Sequence, residues 1–194
     1  DTVRVMGKPS TSSGTATWTK NSNGVTLSTA ITQALYNDGA WTANTNVSAS
    51  APTSSPSPKQ GSNSSKLSTN GSFTTGLIGY SAVAGLNLSA YRQVSLWIRS
   101  SVALASGVLS LRLCSDAAGA TPLWTLPINV ALNANQWTAI TLDNGSNFTT
   151  TAVNSISLSA GSTLASTDIF VDNVFAAKSP TANDCLTLNT LISP

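Results

Sequence analysis

Few side chains in this 194-residue chain could do chemistry, and their types narrow the choice. Histidine is absent, which excludes a Ser-His-Asp or Cys-His dyad, a histidine zinc site and an imidazole switch near neutral pH. Two cysteines cannot build a four-cysteine zinc or iron–sulfur site within one chain. All seven acidic residues are Asp, and only Asp168 and Asp172 lie close in sequence. Four residues apart on a strand, they share a face at about 13 Å. Glycosidase carboxylates stand roughly 5 to 9.5 Å apart, so the pair is not read as hydrolytic and no enzyme is expected. Nine Lys and Arg give a net charge of +2 without a basic run, which leaves no electrostatic footprint for nucleic acid.

The remaining chemistry is aromatic and cationic. Period two over residues 94–99 places Val94, Leu96 and Ile98 on one side and Ser95, Trp97 and Arg99 on the other. The same rule separates Leu109, Leu111 and Leu113 from Ser110, Arg112 and Cys114, and Ile156 and Leu158 from Ser155, Ser157 and Ser159. The aliphatic sets are the expected core. One sheet is then expected to carry a reverse face of Trp97, Arg99, Arg112 and serines. Such a face could bind sugar, the indole stacking on pyranose C–H groups while the guanidinium groups donate to hydroxyls. The plainer reading, preferred here, is that a loop or neighbour covers the face, or that the Arg stems shield Trp97.

The elements that must position these residues are strands. Glu is absent, 8% of residues are charged, and Ser, Thr and Asn fill 74 of 194 positions, a composition that disfavours helices. Short alternating segments at 73–79, 93–98, 107–113, 123–128, 137–142, 155–159 and 168–174, bounded by Gly, Asn, Ser or Pro, predict an all-β sandwich. Trp18, Trp41, Trp124, Trp137, Tyr80, Tyr91 and Phe148 are expected mostly at strand ends and corners in its core. The Pro/Ser-rich stretch between Ala49 and Ser65 predicts a surface loop of the sandwich, because Trp41 before it and Lys66-Leu67 after it read as one fold. The expected organisation is a β-rich lead-in at 1–34, the sandwich at 35–178 and a tail at 179–194 leading toward a neighbouring unit. The opening residues, neither a signal peptide nor an initiating Met, and the strand-like 185–191 predict a piece of something longer. No apolar run reaches eighteen residues, so no membrane insertion is expected. A disulfide between Cys114 and Cys185 would tie the tail to the sandwich, but their settings favour two independent thiols.

The order of segments carries a resemblance. It runs from Trp41 through Gly61-Ser62 and Lys66-Leu67 to Leu88-Ser89-Ala90-Tyr91-Arg92-Gln93-Val94-Ser95-Leu96-Trp97-Ile98-Arg99. It continues through 109–113 and Asn135-Gln136-Trp137 to Phe170-Val171-Asp172-Asn173-Val174. Over roughly residues 35 to 178 this resembles the galactose-binding-like jelly rolls found as carbohydrate-binding modules on glycoside hydrolases. The resemblance implies two antiparallel sheets and a structural calcium ion between the first strand and the last. Asp38, carbonyls near Gly61-Ser62 and Asp172 are the matching positions, and calcium takes six to eight oxygens. The chain departs from the pattern with Asp where an N-terminal Glu is common and with Gln60 where an acidic residue often stands. A structural hydrogen bond at an edge or turn is the other expectation for Asp172.

The hydroxyl-rich texture, the 73–80 segment and the cut ends are also similar to modules embedded in bacteriophage tail and fibre proteins. That likeness implies a non-catalytic structural or adhesive module of a virion, with neighbouring virion subunits, a homo-oligomer and host surface glycans as partners. The alternative is a carbohydrate-binding module that targets a hydrolase or adhesin to glycans. Either setting is a virion or the extracellular space, and synthesis of a virion protein in a reducing cytoplasm agrees with free thiols.

Overall fold

A strand that alternates aliphatic and hydroxyl side chains has one face to bury, and a sheet of such strands must stack on a second sheet. The computed structural model meets that demand. It describes residues 16–20, 23–27, 32–36 and 38–178, the first two segments as backbone only. Among the described residues there are thirteen strands and no helix. They are β1 (Ala16–Lys20), β2 (Asn23–Leu27), β3 (Thr32–Tyr36), β4 (Thr42–Ala43), β5 (Val47–Ser50), β6 (Ser65–Thr69) and β7 (Gly76–Leu86). There follow β8 (Gln93–Ser100), β9 (Leu109–Cys114), β10 (Pro122–Pro127), β11 (Thr138–Asp143), β12 (Val153–Ala160) and β13 (Asp168–Ala177). All seven segments expected from the sequence are strands. The short β4, β5 and β6 are not flagged by alternation alone, and β4 and β5 form sheet edges.

The pairing is nested. β6 pairs with β13, β7 with β12, β8 with β11 and β9 with β10, every pair antiparallel. A four-strand arm is thus folded back on the next four and rolled up. Rolling slots β13 between β6 and β8, and β12 between β7 and β9. The resulting sheets run β10-β9-β12-β7-β4 and β11-β8-β13-β6-β5, with β3 on β13, and together form a jelly-roll sandwich. β1 and β2 pair with each other as the short β-rich lead-in. β3 brings residues 32–34 into the sandwich, slightly ahead of the expected boundary at 35. The stretch between Ala49 and Ser65 lies within one sheet, linking β5 to β6, and Ser64 N–H donates to the Pro52 carbonyl to close it. The tail from 179 onward, Cys185 and the Trp18 side chain lie outside the described residues.

The core follows the alternation. Val94, Leu96, Ile98, Leu109, Leu111, Leu113, Ile156 and Leu158 are all buried, each contributing about 1.5–3 kcal/mol through its removal from water. Trp41, Tyr91 and Phe148 join them, whereas Tyr80, Trp124 and Trp137 are half-buried. No described helix is long and apolar enough to cross a membrane.

Winding also corrects one expectation. The strands β8 and β9 follow each other in sequence but belong to opposite sheets, so Trp97 and Arg99 stand on one outer face and Arg112 on the other. Period two tells which side of its own strand a residue occupies; it does not tell which sheet the strand joins.

At Gly79 on β7 the sheets approach too closely for a side chain. A Cβ there would lie 2.7 Å from Leu67 Cδ2 and 2.9 Å from the Thr42 carbonyl oxygen. Gly79→Ala is expected to destabilise the fold by about 1–3 kcal/mol through overpacking, read as a lower urea midpoint with an unchanged m-value.

Candidate functional site

The Trp97 face is made by β11, β8, β13 and β6. Arg99 and Lys66 flank Phe170 in register from the two neighbouring strands. Their charges sit 5.2 and 5.6 Å from the ring centre, and Phe170 is only 5% exposed. Trp137 packs edge-on against the same ring at 6.3 Å. Arg99 also donates to Asn135 Oδ1 at 3.1 Å, and Lys66 pairs with Asp168 at 2.8 Å while Ser68 donates to that carboxylate. Burial raises the Asp168 pKa, but the bonds from Lys66 and Ser68 outweigh it and hold the carboxyl below its usual value. Trp97 carries the Lys59 ammonium 5.5 Å from its ring centre. The cations of this face are therefore committed to its own rings and acceptors, with Lys59 rather than an Arg stem over Trp97.

Beside Trp97, Asp172 stands on β13 at the paired position. Its Oδ2 accepts from the backbone N–H groups of Lys59 (2.5 Å) and Gln60 (3.0 Å), while its Oδ1 is buried without a partner. Asp38 Oδ1 accepts from Ser62 N–H (2.8 Å) and Asn63 N–H (3.0 Å). The 59–63 loop thus passes between the two carboxylates. At Gly61, with φ +71°, a Cβ would overlap the Asp38 carboxylate, so only glycine fits this turn. Burial pushes the Asp172 pKa above the usual carboxylate value despite N–H bonds from Gln60, Lys59 and Asn173, and the Asp38 charge adds to the rise. Burial likewise raises Tyr36, with Asp172 and Asp38 contributing; its hydroxyl donates to the Gly39 carbonyl at 2.5 Å. Asp38 and Asp172, distant in sequence, are neighbours here. The structure brings together the two carboxylates that the sequence reading paired.

The opposite face belongs to β10, β9, β12, β7 and β4. One row crosses all five strands through Thr125, Arg112, Ser157, Tyr80 and Thr42, each in register with the next. It is about 19 Å long at the usual strand spacing. Thr42 and Thr125 are exposed, and Tyr80 and Arg112 are half-buried. The Arg112 Nε is buried and makes no hydrogen bond. The ion pairs among the described residues are Lys66 with Asp168 and Arg92 with Asp143, so Arg112 has no carboxylate partner.

A strap of residues 115–121, linking β9 to β10, folds over the middle of this row and covers Ser157 between Arg112 and Tyr80. Ser155 Oγ accepts from Gly119 N–H (3.0 Å) and donates to the Asp116 carbonyl (2.5 Å), and Ser157 Oγ donates to the Gly119 carbonyl (3.1 Å). Gly119, with φ +71°, has no room for a Cβ, which would sit 2.7 Å from the Cβ atoms of Ser157 and Tyr80. Ser155 and Ser157, expected on an open reverse face, are consequently fully buried, and Ser159 further along β12 is 3% exposed. Cys114 is buried alongside, 3.4 Å from Ser157 Oγ, and burial raises its thiol pKa. An open recess of about 380 Å³ beside the strap is lined by Ser115, Leu123, Trp124 and residues 149–152, and has no charged lining residue. Among the described residues no group of three or more acidic or cysteine side chains converges on one point.

The row through Arg112 and Tyr80 was not legible in the sequence. Arg112 was marked as a candidate, but Tyr80 was read as core and the strap was not foreseen.

No protein-family model matches the chain, and no curated protein does. Among solved structures it is similar to the family 11 carbohydrate-binding module from Clostridium thermocellum in complex with a β-1,3-1,4-mixed-linked tetrasaccharide. The identity is 15%, over 79% of this chain and 92% of that one, with a TM-score of 0.48. It is also similar to the N-terminal family 22 carbohydrate-binding and catalytic modules of Clostridium thermocellum endo-1,4-β-D-xylanase 10B complexed with xylohexaose. There the identity is 17%, over 75% of this chain and 28% of that one, with a TM-score of 0.49. A third is the family 22 xylan-binding domain from Paenibacillus barcinonensis, 13% identical over 76% of this chain and 97% of that one, with a TM-score of 0.43. The strand pairings define the jelly roll without these likenesses, and no site residue is carried over from them.

The strap gives a pH signature. Asp116 accepts from the N–H groups of Ala120 (3.1 Å), Thr121 (2.5 Å) and Ala118 (2.8 Å), which hold its pKa down at about 2. A carboxyl depressed on folding contributes above its unfolded pKa and loses that contribution as pH falls through the folded value. The amide shifts of Ala118, Ala120 and Thr121 are expected to stay constant from pH 7 to pH 4 and to titrate together near pH 2. Titration near pH 4 would show that these bonds do not form.

Proposed function

We propose that the chain is a non-catalytic carbohydrate-binding module that takes a glycan on the β10-β9 side of the strap, with Arg112 as the central donor and Thr125 beside it. The observation that carries this reading is the Arg112 Nε. That nitrogen is shut off from water without an acceptor, in a half-buried guanidinium that has no carboxylate partner among the described residues, and a ligand oxygen would accept from its terminal N–H groups. On the other outer face the cations already face Phe170, Trp97, Asp168 and Asn135, and the buried donor without a partner there, Trp137 Nε1, carries no charge. The resemblance of 88–99 and 168–174 to carbohydrate-binding modules favours the same class. Asp168 and Asp172 are engaged by Lys66 and Ser68 and by loop N–H groups, respectively, which speaks against a hydrolytic pair. Neither the fold nor the comparisons bear on the bacteriophage setting, virion subunits or homo-oligomer expected from the sequence texture. The setting proposed is extracellular, where polymeric glycans are met.

Asp38, Asp172 and carbonyls of the 59–63 loop are proposed to hold a structural calcium ion. Asp172 Oδ1 is a buried anionic oxygen without a partner, and a second carboxylate stands beside it, which is the hard-oxygen chemistry calcium selects. When bound, the ion supplies the positive charge that the pair lacks.

Affinity electrophoresis against mixed-linked β-glucan, xylan and polygalacturonate tests the first reading. Retardation by at least one polymer is expected, weakened about tenfold or more by Arg112→Ala but unchanged by Trp97→Ala. Loss on Trp97→Ala alone, or no retardation by any glycan, would overturn it. For the metal, calcium at about 100 times its Kd is expected to stabilise the fold by about 2.7 kcal/mol over the chelator-treated protein, with no gain in Asp172→Asn. If Asp172 serves only as a hydrogen-bond acceptor, calcium leaves the unfolding curve unmoved.

A further inference from the structure

Every described basic side chain but one has a partner for its charge. Lys59 lies over Trp97, Lys66 pairs with Asp168, Arg92 pairs with Asp143, Arg99 faces Phe170 and Asn135, and Lys178 lies over Tyr91. Arg112 has neither carboxylate, ring nor hydrogen-bond acceptor, although its Nε is withdrawn from water. Its in-register neighbours are Ser157 and Thr125, which can satisfy a donor but not a charge. The nearby acidic group is Asp116, whose carboxylate is already engaged by three N–H groups of its own strap. We infer that the glycan taken at Arg112 is acidic, a uronate-containing chain whose carboxylate meets the guanidinium.

This rests on the proposed binding site and deepens it. A neutral sugar would accept from the terminal guanidinium N–H groups yet leave the positive charge in a partly dehydrated setting. A carboxylate meets both needs, because it is planar and matches the guanidinium edge with two parallel N–H···O bonds. Partial burial strengthens that match relative to the same pair in open water. Among the described residues no carboxylate pairs with Arg112, so no internal ion pair there must be broken before the ligand binds. Gly119 of the strap covers Ser157 and separates Tyr80 from Arg112, so the ligand is met on the β10 side of Arg112, next to the exposed Thr125.

The experiment compares oligogalacturonate with its methyl ester, the same skeleton with the charge removed, together with a neutral xylo-oligosaccharide and a sulfated galactan. Binding is followed by calorimetry at low and high salt. The free acid is expected to bind about tenfold or more tighter than its ester, to weaken as salt rises, to lose binding in Arg112→Gln, and to recover part of it in Arg112→Lys. Equal binding of acid and ester, lost in Arg112→Gln, would overturn the acidic ligand while leaving the site in place. Tighter binding of the sulfated galactan would overturn the carboxylate. Binding insensitive to Arg112→Gln but lost in Trp97→Ala would overturn the site and the acidic ligand together. Far-ultraviolet circular dichroism of each variant separates loss of binding from loss of fold.

Discussion

Closure of the roll is the constraint on which the rest of the molecule depends. Inserting β12 between β7 and β9, and β13 between β6 and β8, gives both late strands two neighbours each and makes them the middle of their sheets. Their side chains are accordingly the most completely enclosed, down to serines and an aspartate that would be wet at an edge. Because the arms come from distant parts of the chain, each outer face is a composite. The Arg112 row draws on residues from 42 to 125 to 157, and the carboxylate site joins 38 to 172. Long-range pairing therefore precedes either site, and no short fragment of the chain could display one.

A molecule with so few charges gives each of them weight. Most described cations are matched locally, by a carboxylate, an amide oxygen or an aromatic face. Two charged groups stand apart, Asp172 Oδ1 and Arg112 Nε, each buried and without a hydrogen-bond partner. They lie on opposite sides of the sandwich and have opposite sign. In a protein whose local choices otherwise agree, such exceptions are where a sequence gives up stability for something else. The carboxylate asks for a cation and the guanidinium for an oxygen donor of opposite charge. Separation by the hydrophobic core keeps the two from quenching each other.

How much of this could be read beforehand follows from the range of each interaction. Alternation is a property of one strand, and it identified the core residues of β8, β9 and β12 correctly. The Asp38 and Asp172 pairing was legible only through the resemblance, since nothing in either local sequence refers to the other. Two features stayed hidden. The assignment of β8 and β9 to opposite sheets is fixed by winding, so Arg112 could not be separated from Trp97 by period two. The burial of Ser155 and Ser157 depends on a strap seated from another strand's end, and a row of serines reads as solvent-facing until something is laid on it. The prolines of the stretch between Ala49 and Ser65 did announce a loop, and composition was enough there because a loop needs no distant partner to be a loop.

The strap is held by backbone atoms meeting two strand hydroxyls, and by Asp116 bonding its own amides, with Gly119 as the point of contact. Ala117, Ala118 and Ala120 project outward and are exposed. The seat and the display surface are thus carried by different residues of one short segment. Such a segment tolerates diversification: three exposed positions, two before Gly119 and one after it, can be randomised in a library without touching core packing or sheet register. The connection between β9 and β10 is therefore the natural graft point for evolving new recognition beside Arg112, with the jelly roll serving as an unaltered chassis.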